Sequence, residues 1–306
     1  MHYREGRITR SKTTATDAYD FSSGSETGTT HFGFRNVKTN EKEKLVKEVF
    51  ASVADSYDVM NDLMSGGIHR CWKDEFVAMT SISSIAKLTR QQQRLDPPSF
   101  KILDVAGGTG DVAFRFIDSA GCAERANSSG KDEVSVTVVD INPHMLRVGE
   151  QRAHQRYGKN AALMMENTAA LSFLEGNAER LPFLDNSFDI YTIAFGLRNV
   201  TDVDTALREA YRVLKPGGRY MCLEFSKVEN AAFRAIYDLY SFHVIPKVGR
   251  LVAGDEESYQ YLVESIRKFS DQQELSARLE NAGFQGVTYT NLTGGIASVH
   301  EGWKLV

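Results

Sequence analysis

The sequence predicts an α/β fold carried on a mostly parallel seven-stranded sheet that closes with an antiparallel hairpin. Three observations point there. Five apolar runs, KILDVA at 101–106, VSVTVVDI at 134–141, LSFLEG at 171–176, FDIYTIAF at 188–195 and GRYMCLEF at 218–225, alternate with helical patterns near 110–118, 143–155 and 203–214. Apolar strands interleaved with helices imply right-handed crossovers and a sheet covered on both faces. Two last runs, FQGVTYTNL and GIASVHEGWKL, meet across Thr-Gly-Gly, a hairpin connection. The third observation is the turn DVAGGTGD at 104–111, followed by a second strand ending in Asp140. A Gly-rich bend and an acidic strand end at one sheet edge suit a nucleoside-bearing cofactor, either S-adenosylmethionine or a dinucleotide.

In chain order, residues 1–37 lack hydrophobic periodicity and are rich in Ser, Thr and Gly, so a mobile tail is expected. Its start carries Arg4, Arg7, Arg10 and Lys12 against Glu5 alone, which suits a mitochondrial presequence remnant, although Asp17, Asp20 and Glu26 follow. From Glu41 to Tyr57 the apolar positions Leu45, Val46, Val49, Phe50 and Val53 recur at helical spacing, and a second helix spans about His69–Ala86. Residues 38–98 therefore form an N-terminal helical cap, separated by the polar, Pro-bearing stretch at 91–100 from a domain at 99–306. Within that domain, 119–133 and 156–169 are polar and suggest surface insertions, and KPGG at 215–218 stops a helix before the fifth strand. Helical stretches at about 229–243 and 257–282 make an insertion ahead of the final hairpin.

Composition narrows the function. The 306 residues are 42% hydrophobic and 25% charged, enough for a packed core, and the net charge of −4 gives no electrostatic reason to expect nucleic acid. Cys71, Cys122 and Cys222 are scattered, which argues for reduced thiols and against a disulfide frame or a metal site. No apolar run approaches the roughly 20 residues that span a bilayer.

Several segments resemble the ubiquinone/menaquinone biosynthesis C-methyltransferase family: FASVADSYDVMNDLMSGGIHRCWK at 50–73, DVAGGTGD at 104–111, GNAERLPF at 176–183, AFGLRNVTD at 194–202 and YRVLKPGGRYMCLEFSK at 211–227. The likeness spans about residues 31–306. It implies a class I S-adenosylmethionine-dependent methyltransferase fold (Rossmann-like), S-adenosyl-L-methionine as donor, and a polyprenyl benzoquinol of the ubiquinone route as acceptor. It further implies a homodimer, association with a quinone-biosynthesis protein complex, and peripheral contact with the matrix side of the mitochondrial inner membrane. Rival readings are demethylmenaquinone or another small phenol as acceptor, and a mainly structural, cofactor-bound subunit.

The residues divide into two groups. For the donor, Gly107, Gly108 and Gly110 allow a sharp bend, and Asp104, Gly107 and Thr109 face the methionine end. Ala106 replaces a glycine of the usual pattern, which argues against a pyrophosphate cradle. Asp140 is a bidentate acceptor for ribose hydroxyls, since Asn142 stands nearer the following helix and is the better cap. Asn177 and Ala178 suit an adenine edge, though Asn alone is often a turn residue. Ala194 replaces a Ser that contacts the cofactor in this family.

For the acceptor, Arg198 and Asn199 follow the fourth strand, where a cation would stabilise a developing phenolate. Asp202, Tyr57, Asp58, Asp62, His69 and His243 are candidate proton acceptors, and Asp202 doubles as a cap for the helix near 203. Glu224 faces either the pocket or a nearby Arg. Tyr237, Tyr240, Phe242 and Tyr259 suit a polyprenyl channel or plain core. Val244, Ile245, Leu251 and Val252, mixed with Lys247 and Arg250, suit a membrane surface or a dimer contact.

Overall fold

A computed structural model describes residues 28–53, 61–62, 65–91, 100–125, 134–167, 170–230, 237, 239 and 256–305. The expected sheet is present. Its strands are β3 (Phe100–Val105), β4 (Val134–Asp140), β5 (Leu171–Glu175), β6 (Phe188–Ala194), β7 (Leu214–Phe225), β8 (Gln285–Leu292) and β9 (Ala297–Trp303), in the order β5-β4-β3-β6-β7-β9-β8. The first five neighbours pair in parallel, and β9 joins β7 and β8 antiparallel.

The period of two explains why both faces are buried. Ile102, Val136, Val138, Ile190 and Met221 belong to one apolar cluster, whereas Leu103, Val139, Tyr191, Ile193, Tyr220 and Cys222 belong to the other. On the first face lie α2 (His69–Met79), α3 (Ile82–Gln91) and α4 (Asp111–Ala120), through Trp72, Phe76, Ile82, Phe116 and Ile117. On the second lie α8 (Val203–Val213) and α10 (Gln272–Asn281), through Ala206, Leu207, Ala210, Leu275 and Leu279. Burying each large apolar side chain contributes about 1.5–3 kcal/mol. Phe116, fully buried, would cost about 3–5 kcal/mol if cut to Ala.

Several expectations need correction. The supposed tail contains a hairpin, β1 (Thr29–Phe32) and β2 (Arg35–Lys38), ahead of α1 (Thr39–Val53). It is held by Phe32, whose ring stacks on Tyr261 at 4.1 Å. The single helix expected at 69–86 breaks between α2 and α3, where Ser81 takes φ 56°. That expected at 257–282 is two helices, α9 (Glu256–Lys268) and α10, because Asp271 and Glu274 form a reciprocal capping box.

The two polar insertions are not purely surface features. They carry α5 (Cys122–Arg125) after α4, and α7 (Lys159–Ala162) with a π turn at Leu163–Asn167 after α6 (Pro143–Tyr157), and Cys122, Ala161 and Met164 are fully buried. In the last hairpin, Thr293, Gly294 and Gly295 all have positive φ, and a Cβ on Gly295 would lie 2.9 Å from the Lys227 carbonyl. The stretch at 240–255, with Tyr240, Phe242, His243 and the proposed membrane-facing residues, lies outside the described residues, as does Tyr57.

Candidate active site at the carboxyl edge

Register brings the chemistry together. Val105 pairs with Val139 on one side and Ile193 on the other, so β3, β4 and β6 end level. Beyond their ends opens a crevice lined by the β3–α4 turn, Asp140, the segment 176–179, the turn after β6, and one face of α1. This is where ligands bind in open α/β sheets.

The β3–α4 turn is built by glycine. A Cβ on Gly107 would stand 2.8 Å from both Asp104 Oδ2 and Val138 Cγ1, and Gly108 and Gly110 have positive φ. Two non-glycine residues, Ala106 (φ 51°) and Phe195 (φ 57°), also take left-handed backbone at the strand ends. Such geometry costs of order 1–3 kcal/mol and gathers at functional sites. A Cβ on Gly196 would come within 2.4 Å of Ala106 Cβ, so the two turns abut.

Asp104 is fully buried. Its Oδ1 accepts from Thr192 Oγ1 at 2.8 Å, while Oδ2 has no hydrogen-bond partner. Burial pushes this carboxyl up to about 7, opposed by the Thr192 hydrogen bond and reinforced by the nearby negative charge of Asp111. Asp140 closes β4. Its Oδ2 accepts from Gly108 N at 2.9 Å and its Oδ1 from Asn142 N at 2.8 Å, and the Ile141 backbone also donates to it, which leaves lone-pair capacity on the carboxylate. Desolvation raises Asp140 to about 6 against those backbone donations. Asn142, not Asp140, caps α6, accepting from His144 N at 3.0 Å.

Thr109 is buried and accepts from Arg152 at 3.0 Å. The turn role weighed for Asn177 is filled: its side-chain oxygen accepts from Glu179 N at 2.8 Å, and its amide donates to Glu43 at 3.3 Å. Asn177 and the buried Ala178 line the crevice, as does Ala194 at the end of β6.

On the acceptor side, Arg198 and Glu224 form a buried ion pair at 2.7 Å, with side chains 2% and 1% exposed. The guanidinium also donates to the Phe195 carbonyl and lies 5.4 Å from the Phe225 ring. Glu224 accepts from the backbone of Arg198 and Phe225, and burial raises its pKa against the pull of Arg198. Arg198 therefore faces Glu224 and is absent from the crevice wall, which Asn199 does line. Asn199 Oδ1 accepts from Tyr261 at 3.0 Å, which ties it to the Phe32 stack.

Asp202 needs correcting as a catalytic candidate. It is exposed and both its oxygens bond Thr205, one at the backbone and one at the hydroxyl, as the N-cap of α8. Asp62 and His69 pair at 2.8 Å away from the crevice, with Arg70 on the same carboxylate. Tyr237 and Tyr259 are buried within the apolar cluster of the first face. Tyr57, Asp58 and His243 fall outside the described residues.

Sequence reasoning missed Lys73, Glu43, Val46, Lys47 and Phe50, all in the crevice wall. The α1 residues carried a signal, since helical spacing placed Val46 and Phe50 on one face. Lys73 carried none beyond its place in the N-terminal motif.

The sequence profile of the ubiE/COQ5 methyltransferase family matches residues 25–304. The ubiquinone/menaquinone biosynthesis C-methyltransferase UbiE of Brucella abortus (strain S19) is 50% identical over 283 residues, covering 92% of this chain and 94% of that protein. The mitochondrial 2-methoxy-6-polyprenyl-1,4-benzoquinol methylase of Dictyostelium discoideum is 48% identical over 291 residues, covering 90% and 86%. Among solved structures, a SAM-dependent methyltransferase of Thermotoga maritima, described as a possible histamine N-methyltransferase, superposes with a TM-score of 0.50 at 18% identity, covering 85% of this chain and 99% of that one. That likeness concerns the fold.

Proposed function

The chain belongs to the ubiE/COQ5 methyltransferase family, and from that premise we propose that it methylates a ring carbon of 2-methoxy-6-polyprenyl-1,4-benzoquinol on the route to ubiquinone, with S-adenosyl-L-methionine as donor. One observation carries the reading: an acidic strand end, Asp140, stands over a glycine cradle in the crevice beyond the carboxyl ends of the strands. The residues fit such a donor. Asp140 keeps free lone pairs for ribose hydroxyls, Gly107 leaves room a Cβ would fill, and Asp104 Oδ2 is a buried acceptor awaiting a donor. Asn177 and Ala178 take the adenine edge, while Asp104, Gly107 and Thr109 hold the methionine end. When bound, the donor supplies a sulfonium methyl already activated toward nucleophiles.

The chain's remaining task is to raise the nucleophilicity of a ring carbon. A phenol ordinarily loses its proton near pH 10, so Asn199, on the crevice wall, polarises the acceptor hydroxyl, and the buried Arg198–Glu224 pair next to it stabilises the developing phenolate from a distance. The family resemblance makes Tyr57 a further candidate for the proton transfer, and the proton leaves through water. Because Glu224 offsets the charge of Arg198, the pair acts as an oriented dipole more than as a free cation. Holding ring and methyl in line contributes up to about 7–11 kcal/mol.

The mitochondrial relative and the basic first segment support action in mitochondria; the matrix face of the inner membrane, a homodimer and a quinone-biosynthesis assembly are what the family resemblance implies. Purified protein given donor and a short-prenyl quinol should yield product with one added ring methyl, identified by mass spectrometry and NMR. No product despite demonstrated donor binding would count against the reading. The bacterial relatives' name favours one alternative acceptor, demethylmenaquinol, to be run in the same assay.

A further inference from the structure

Asn199 is a polar group that the short turn after β6, Leu197–Asn199, offers to the crevice. An amide side chain has two chemically opposite ends, an oxygen that accepts and an NH2 that donates. Which end meets the acceptor decides the sign of its effect. An NH2 stabilises a developing phenolate, whereas an oxygen in the same place repels it.

The choice is made from outside the crevice. Tyr261, on α9, is 5% exposed and donates its hydroxyl hydrogen to Asn199 Oδ1 at 3.0 Å, the acceptor it finds among the described residues. Turning the amide over would set its NH2 against that hydroxyl and leave the hydroxyl hydrogen buried without an acceptor, a costly arrangement. Burial pushes the Tyr261 phenol above its ordinary range, against the pull of nearby Arg198, so it stays a donor. The oxygen of Asn199 is therefore committed. Its NH2, which makes no hydrogen bond among the described residues, is the end left for a ligand.

Tyr261 is itself fixed. The Phe32 ring stacks on it at 4.1 Å with 19° between the planes, and Phe32 belongs to the hairpin of β1 and β2. That hairpin is joined to α9 a second time, because Phe34 N donates to Glu264 at 2.9 Å. The residue after Asn199 is held as well: Lys42 of α1, almost fully buried, donates to the Val200 carbonyl at 2.9 Å. Tyr261 is absent from the crevice wall, so any influence on the reaction passes through Asn199.

We propose that Tyr261 is a positioning residue for methyl transfer: it holds the Asn199 amide with its NH2 toward the acceptor, and Phe32 braces it there. This rests on the reading of the crevice as a quinol methyltransferase site. It gives the N-terminal hairpin a part in the chemistry, through packed rings.

Steady-state kinetics with S-adenosyl-L-methionine and a short-prenyl quinol test it. Tyr261→Phe keeps the ring and its stack and removes only the hydroxyl. Its kcat should fall about tenfold, a fraction of the loss when an oxyanion donor is removed outright. Its KM for the donor should stay within about twofold of wild type. In an Asn199→Ala background, Tyr261→Phe should change kcat no further, since the group it orients is gone. An unchanged kcat in Tyr261→Phe overturns the proposal, and so does an equal loss in both backgrounds, which would mark a purely structural role. Should Tyr261→Phe fail to fold, NMR of wild type with isotope-labelled asparagine decides. The Asn199 NH2 signal, identified by its absence from Asn199→Ala, should shift when quinol is added to protein saturated with S-adenosylhomocysteine. A signal indifferent to the quinol overturns the proposal. A wild type that binds donor but methylates no quinol removes the function reading, and this assignment with it, a separately recognisable result.

Discussion

The two halves of the crevice edge handle charge in opposite ways. At the ends of β3 and β4, Asp104 and Asp140 keep lone pairs unused, and both sit well above the ordinary carboxylate range. At the ends of β6 and β7, Arg198 and Glu224 are closed on each other and on nearby backbone groups, with one donor, Arg198 Nε, buried without a hydrogen-bond partner among the described residues. Groups held in reserve are costly in the free protein and favourable once a ligand arrives. Groups already satisfied fix the shape of the site and respond little to what binds. The donor side is thus arranged for recognition, and the acceptor side for orientation.

The largest expected effect breaks the satisfied half. Arg198→Ala strands Glu224 in the interior and should cost about 3–5 kcal/mol of stability, measured by urea unfolding, and adding Glu224→Gln should restore much of it. A fully stable Arg198→Ala would mean that the pair is not structural and would erase the contrast.

Next comes the pH dependence of the reserve half. Asp104 sits at about 7 in the folded chain, against about 3.9 for an unperturbed Asp. The folded chain therefore holds this proton more tightly than the unfolded one. Its stabilising contribution is complete below about pH 4 and is lost as pH rises through about 7. Asp104→Asn does not titrate, so its stability relative to wild type should climb between pH 4 and pH 8, by at most about 4 kcal/mol. A flat difference across that range would show that Asp104 has a partner in solution.

Asp140→Ala should weaken donor binding by about 1.5–3 kcal/mol, the worth of hydrogen bonds to a charged group, with α6 still capped by Asn142. Calorimetry with S-adenosylhomocysteine reads this directly. The smallest change is expected from Asp202→Ala, which loses a helix cap worth about 1 kcal/mol and leaves kcat intact. A collapse of kcat there would return Asp202 to the catalytic set.

What the sequence reveals follows the same division. The sheet is legible because buried parallel strands are continuous apolar runs, and Asp140 is separable from the cap because Asn142 lies two residues on. The hairpin at 29–38 is not, since its anchors, the Phe32 ring on Tyr261 and the Phe34 N–H donating to Glu264, have partners far along the chain. Ser81 breaks a helix at a residue with no turn signature. Arg198 and Glu224 are 26 residues apart, and only the register of β6 beside β7 brings them together. Lys73 falls by helical spacing on the same face of α2 as Phe76 and Val77, but its ion-pair partner Asp111 lies 38 residues on, beyond the β3–α4 turn. Asp202 had both a structural and a catalytic reading, and geometry alone could separate them.

The central claim is that the open carboxylates of β3 and β4 hold the methyl donor. A crystal structure with S-adenosylhomocysteine tests it most directly. The account predicts ribose hydroxyls on Asp140 and the amino-acid end beside Asp104. Ligand density elsewhere on the chain, with this crevice holding only water, would contradict it.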